Sequence, residues 1–113
     1  MSSSQVSPSE ALDLLHKLIT ESTKVQACIL GDGFTSVVIG RLEVDPSGKI
    51  IVKDRDEPNS PFIVFDLSRA FSVRYGEARG DSVGAGVFRR DFTSAMAFQF
   101  KNGGTVTLFE FKD

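Results

Sequence analysis

The chain has 113 residues, with 41% hydrophobic and 25% charged side chains and a formal net charge of −2. This composition is typical of one folded domain and excludes two full domains or a disordered chain. The slightly acidic balance argues against a surface built throughout to neutralise phosphates. A single cysteine, Cys28, excludes an intrachain disulfide. Because no apolar run reaches the roughly 20 residues of a membrane span and the N-terminus does not resemble a signal peptide, we expect a cytoplasmic protein without a membrane partner.

The first predicted element is a helix over residues 8–21. Ser7 provides a hydroxyl for the N-cap, a proline follows at the first helical position, and Glu10 completes a capping box. Residues 1–6 are small and polar and are expected to be a disordered tail, so residues 7–113 form the single globular domain. The apolar stripe of the helix must be covered by other parts of the fold. It contains Ala11, Leu14, Leu15 and Leu18.

Beyond residue 22 the apolar residues recur with a period of two, which predicts antiparallel strands. Gly40 lies inside the second of these strands and predicts a sharp bend or a bulge there. Asp45 to Gly48 has the pattern of a type I turn. We expect a mainly β fold with one N-terminal helix: a small bent antiparallel barrel with an extra C-terminal hairpin. The strands are predicted at residues 25–30, 34–45, 49–53, 62–65, 70–75, 94–101 and 105–112.

The residues from Gly40 to Asp54, with Asp32-Gly33 before them, resemble the first signature of Sm-like proteins. The signature consists of a glycine, a leucine two residues later, an aspartate, and an aliphatic strand that ends in an acidic residue. The resemblance covers about residues 8–79 and implies an Sm-like or SH3-like barrel whose protomers form rings and bind RNA through loops at a central pore. Asp45 matches the aspartate of that loop, and Lys49 replaces the family's asparagine.

Arginine is concentrated in the second half of the chain and could bind nucleic acid. Between residues 67 and 90 the basic residues are Arg69, Arg74, Arg79, Arg89 and Arg90. Guanidinium groups beside aromatic rings contact phosphates and stack on bases, although alternating arginines also mark the solvated face of a strand. The predicted RNA-contacting residues are Asp45, Lys49, Arg74 and Arg79.

Enzyme chemistry has no good candidate in this sequence. Gly80 to Gly84 matches the pattern around a hydrolase nucleophile at Ser82, but no helix is predicted after it and the chain's one histidine, His16, precedes it. His16 also has no second ligand at helical spacing. We therefore predict a protein that is not an enzyme, with no catalytic residues, no metal and no cofactor.

Phenylalanines occupy both faces of the predicted C-terminal hairpin, which cannot leave one face wet without exposing aromatic surface. The predicted interface residues are Phe98, Phe100, Phe109 and Phe111. The leading hypothesis is a non-enzymatic, self-associating β-barrel interaction module that forms homo-oligomers. The alternative is an Sm-like ring protein that binds RNA. A third hypothesis, a barrel for a small ligand, requires a cavity.

Overall fold

The computed structural model describes residues 3–31, 33–57, 59–77, 92–101 and 103–111. A short 3-10 turn, Leu67–Arg69, joins two of the strands. The other elements in chain order are β1 (Ser3–Gln5), α1 (Pro8–Thr20), β2 (Lys24–Gly31), β3 (Phe34–Val44), β4 (Ile50–Lys53), β5 (Ile63–Phe65), β6 (Ala70–Glu77), β7 (Phe92–Phe100) and β8 (Thr105–Phe111).

Helix α1 begins at the predicted capping box. Ser7 Oγ accepts a hydrogen bond from the Glu10 backbone N–H at 3.2 Å, and Glu10 Oε1 accepts one from the Ser7 backbone N–H at 3.1 Å. The bond from the Ser7 backbone is the main reason that the pKa of Glu10 lies below its ordinary value. In the described part of the chain, no helix is long and apolar enough to span a membrane. The buried face of α1 consists of Ala11, Leu15 and Leu18.

The eight strands of the described residues form one antiparallel sheet in the order β1-β6-β7-β8-β2-β3-β4-β5. The expected mainly β fold with one N-terminal helix is confirmed. The sheet is open, however, and the expected closed barrel is not formed. The two ends of the order, β1 and β5, have no ladder between them in the described residues. Closure through β6 is blocked because β1 already occupies the side of β6 that does not pair with β7.

The open sheet is strongly curled. The rings of Phe65 on β5 and Phe98 on β7 have centroids 5.0 Å apart, although five strand positions separate them in the sheet order. In a flat sheet that separation is roughly 24 Å, since neighbouring strands lie about 4.8 Å apart. The curl therefore creates an inner face, which holds one hydrophobic core together with the buried side of α1.

The N-terminal segment differs from the expected disordered tail. Residues 3–5 form β1, with Ser4 opposite Tyr75 on β6. Val6 extends this contact, because its backbone N–H donates to the Val73 carbonyl at 2.9 Å. Strand pairing uses backbone groups, so a polar segment with few side chains to bury still adds to the sheet when an edge is free.

The predicted C-terminal hairpin exists as β7 and β8, but it is not an addition to the sheet. It lies between β6 and β2, so both of its edges are paired. Phe98 on the inner face is 0% exposed, and Phe109 on the opposite face is 2% exposed. These two rings are therefore buried within the chain and cannot contact a partner. Phe100 and Phe111 are half-buried.

Gly40 allows a close backbone approach in the middle of β3. A Cβ atom at this position would lie 2.2 Å from the Lys53 carbonyl oxygen and 2.8 Å from the Asp54 nitrogen. No side chain fits at those distances, so the backbone at the end of β4 crosses β3 only because residue 40 is a glycine. The glycine that predicts a bend is thus required by the tertiary packing.

Candidate functional site

A cleft lies at one end of the inner face and consists of two adjoining cavities. The first, here called the arginine cavity, has a volume of about 550 Å³. The second, here called the apolar cavity, has a volume of about 440 Å³ and includes Leu30, Val64 and Phe65. Arg69 and Phe100 line both cavities. Both volumes fall within the roughly 300–1,000 Å³ of small-molecule sites. The arginine cavity is lined by Ser68, Arg69, Ala70, Phe71, Phe100 and Lys101.

The floor of the cleft is aromatic. The ring of Phe65 packs edge-to-face against the ring of Phe100, with centroids 6.4 Å apart and an angle of 75° between the rings. Edge-to-face contacts of this kind fix ring orientation. Phe71 lies at an irregularity in the pairing of β6 with β7, between Ala70 and Ser72, and its side chain is 56% exposed. A bulge redirects the side chain at that position, so the cleft combines an ordered ring with an uncovered one.

The rim of the cleft is positively charged. Arg69 is 83% exposed in its side chain, and its Nε lies 3.7 Å from Asp66 Oδ2. Two hydrogen bonds from Ser68 to Asp66 Oδ1, at 2.6 and 3.0 Å, lower the pKa of Asp66 more than Arg69 or Lys49 does. Asp66 is therefore ionised, and its Oδ1 atom is bound by Ser68 within the turn. Lys101 is a second positively charged residue on the rim.

Of the predicted RNA-contacting residues, Asp45 and Lys49 lie in one turn. Asp45 Oδ1 accepts hydrogen bonds from the Ser47 hydroxyl at 2.7 Å, the Ser47 N–H at 2.9 Å and the Lys49 N–H at 2.9 Å. These bonds, led by the one from the Ser47 side chain, lower the pKa of Asp45. The carboxylate oxygen that matches the family loop thus stabilises the turn between β3 and β4, whereas the Lys49 side chain is exposed.

The structure does not bring Arg74 to this turn. Arg74 is exposed on β6, and three strands separate β6 from β3 in the sheet order. Arg79 and the Ser82 region lie outside the described residues. Binding of RNA through Asp45, Lys49, Arg74 and Arg79 stays a prediction.

A polar cluster lies at the other end of the inner face, beside α1. The Tyr75 hydroxyl donates to Glu110 Oε2 at 3.1 Å, and the Ser94 hydroxyl donates to the same oxygen. Burial is the main cause that raises the pKa of Tyr75, and the negative charge of Glu110 adds to it. Both hydroxyls donate to the carboxylate, so hydrogen bonds stabilise its half-buried charge.

Cys28 does not have the surroundings of a reactive thiol. Burial raises its pKa, and Gln26 Nε2 lies 3.8 Å from its sulfur. A thiol with a raised pKa stays protonated and behaves as a small hydrophobic group. Within the described ranges, no three His, Cys, Asp or Glu side chains are grouped closely enough to hold a metal ion.

The outer edge of the sheet carries exposed apolar side chains. Phe62, directly before β5, is 60% exposed, and Val64 within β5 is 46% exposed. They project to the same face because they are two residues apart on an extended segment. Val64 lies opposite Ile51 on β4, which lies opposite Glu43 on β3. Glu43 pairs with Lys53 and Arg55 at 3.6 and 3.2 Å, so Phe62 and Val64, here called the edge patch, have a charged border.

Sequence reasoning did not identify the cleft. Phe65, Phe100 and Lys101 belong to different strands or turns, and Arg69 attracted attention only as one of several arginines. A bulge at Phe71 also has no sequence signal, since no glycine or proline marks it. The hypothesis of a small-ligand site required a cavity, and the curl of the sheet supplies one.

Comparison with known proteins shows a similar fold. No family model matches the chain, and no curated protein matches it. Among solved structures, the chain is similar to the one described as the crystal structure of ChuX, with a TM-score of 0.61 and 13% sequence identity. The similarity covers 99% of this chain, which spans 64% of the length of the ChuX chain. At this identity the likeness concerns the fold alone, and the Sm-like resemblance stays a prediction.

Proposed function

We propose that this protein is a non-enzymatic interaction module that self-associates through the β5 edge of its sheet. The observation that carries the proposal is the edge patch. Val64 is an exposed apolar side chain on β5, Phe62 is another directly before it, and among the described residues β5 pairs only with β4. An edge strand with apolar side chains offers both unpaired backbone groups and surface to bury.

The proposed assembly is a dimer in which two β5 strands pair antiparallel. Identical strands that pair in this way are related by a two-fold axis, so the same patch serves both copies. Strand β5 has only three residues, so the backbone bonds alone are few. Burying the exposed parts of Phe62 and Val64 contributes about 1–2 kcal/mol for each side chain.

The test is the solution mass by light scattering over a range of protein concentrations. We expect the wild type to dimerise as concentration rises and Phe62→Ser to stay monomeric under the same conditions. Leu12→Ser is the matched control, because Leu12 is a large apolar residue that is 40% exposed on α1. This control variant should dimerise like the wild type.

Two results contradict the proposal. A wild type that stays monomeric at every concentration removes self-association altogether. A closed ring larger than a dimer, insensitive to Phe62→Ser, contradicts the edge pairing and favours the Sm-like prediction, for which titration of single-stranded RNA at two salt concentrations is the next assay.

A further inference from the structure

We propose that the arginine cavity binds a small apolar carboxylate, with the carboxylate at Arg69 and Lys101 and the apolar body against Phe71 and Phe100. The inference goes beyond self-association, because neither Phe62 nor Val64 lines this cavity. It rests on three features of the cleft: an uncovered aromatic ring, an exposed guanidinium group whose ion pair with Asp66 is long, and the shape of the space between them.

The aromatic floor favours an apolar body. Phe71 is 56% exposed inside a concave space, although β6 contributes its other large apolar residue, Val73, to the core at 5% exposure. The difference arises at the bulge, which removes Phe71 from the regular pairing of β6 with β7. Phe100 is already oriented by Phe65 at 6.4 Å. A ligand that covers these rings gains apolar burial and meets a surface whose geometry is formed in advance.

The rim favours an anionic head group. The 3.7 Å separation between Arg69 Nε and Asp66 Oδ2 exceeds a hydrogen-bond distance, so this ion pair leaves the guanidinium donors available. Asp66 is held by Ser68 through both the backbone N–H and the hydroxyl. The planar fork of Arg69 fits the two oxygens of a carboxylate, and Lys101 on the same cavity adds a second positive charge.

The shape of the cavity favours a small molecule over a second copy of the chain. The space of about 550 Å³ is half open to solvent and is bordered by the turn at Ser68–Arg69 on one side and by Lys101 on the other. Concave spaces of this size bind small ligands, whereas contacts between copies need broad surfaces of roughly 800 Å² per partner. The arginine cavity thus does not include the edge patch, although Val64 lines the adjoining apolar cavity.

Dansyl-undecanoic acid is a suitable probe, because its fluorescence rises when the dansyl group leaves water. We expect the wild type to bind the acid at least about tenfold more tightly than its methyl ester, which lacks the charge. A tenfold preference corresponds to about 1.4 kcal/mol. The double variant Arg69→Gln with Lys101→Gln should lose this preference and bind acid and ester equally.

The matched control removes two positive charges elsewhere. Lys24 begins β2 at the opposite end of the sheet, and Arg74 is exposed on β6. The double variant Lys24→Gln with Arg74→Gln should keep the tenfold preference, which separates a local contact from the effect of net charge. Phe71→Ser should weaken binding of acid and ester by a similar factor, since it removes part of the apolar floor.

Three outcomes overturn the proposal. If the wild type binds acid and ester equally, the charged rim does not contribute to binding. If Phe71→Ser binds both as tightly as the wild type does, the aromatic floor does not contribute. If Phe71→Ser instead lowers the mass measured by light scattering, the cavity is occupied by a second copy. The monomeric Phe62→Ser variant should still bind the acid, so failure of self-association and failure of ligand binding are distinguishable.

Discussion

At one end of the inner face α1 lies beside the sheet, and at the other end the same face forms the floor of the cleft. The strands are shared: β7 runs from Ser94 in the polar cluster to Phe100 in the cleft, and β6 runs from the cleft to Tyr75. The difference is therefore not in the strands but in what covers them. Helix α1 spans 13 residues, about 20 Å at 1.5 Å per residue, and shields one end only.

The two ends of the inner face therefore differ in how tightly they are packed and in how much open surface they leave. Where the helix packs, polar groups such as Tyr75 and Glu110 satisfy one another, and a cavity of only about 60 Å³ remains. At the cleft end, where no helix of the described residues packs, Phe71 is 56% exposed and the cavities are several times larger. Packing that stabilises the fold and surface that is free to bind are thus separated along one sheet.

The largest expected effect is a loss of stability from a substitution where β3 and β4 pack closely. Gly40→Ala places a Cβ atom 2.2 Å from the Lys53 carbonyl oxygen, so β4 must move away from β3. We expect a loss of more than about 4 kcal/mol in the free energy of unfolding, or no folded protein.

Gly48→Ala is the comparison variant for Gly40→Ala. Gly48 has a φ of +89° but no atom within 4 Å of an added Cβ, so only backbone strain of about 1–2 kcal/mol is expected. Urea denaturation of the two variants measures both effects. Similar losses for both glycines would show that the close approach to Lys53 is not the cause.

The next effect compares the two ends directly. Leu15→Ala removes a side chain that is 0% exposed under the helix and should cost about 3 kcal/mol. Phe71→Ser in the cleft removes a larger side chain that is 56% exposed and should change stability by less than about 1 kcal/mol. Denaturation midpoints at equal slope provide the measurement. If the cleft variant is destabilised as much as the core variant, Phe71 is a packing residue and the cleft is not open.

The smallest effect concerns the polar cluster at the helix end. The pKa of Tyr75 is raised mainly by burial, so the folded state holds the phenol proton more tightly than the unfolded state does. This contribution to stability is complete below the unfolded pKa of about 10 and is lost as the pH rises toward the folded value. Tyr75→Phe should therefore make the loss of stability above pH 10 shallower.

Tyrosinate absorbance gives a direct check, because Tyr75 is the single tyrosine of the chain. In the folded wild type it should titrate above 10, and Glu110→Gln should lower the midpoint by removing a nearby negative charge. An ordinary midpoint in the folded wild type would show that the phenol is not desolvated.

Most of the elements could be predicted from the sequence, whereas most of the candidate site could not. The helix follows from contacts between Ser7 and Glu10, three residues apart, and the strands follow from a period of two. The phenylalanines of the hairpin show what local sequence patterns could not predict. Their pattern indicates two apolar faces, and only the tertiary structure shows that Phe98 and Phe109 are already buried within the chain.

By itself, the sequence determined a mainly β fold with a capped N-terminal helix and a glycine within strand β3, because capping, alternation and turn geometry act over a few neighbouring residues. Only the tertiary structure decided the open sheet, the polar strand β1 and the meeting of Arg69 with Phe100 and Lys101. These depend on which distant strands pair and on how far the sheet curls. Such choices are settled by the burial of the whole core and not by any local segment.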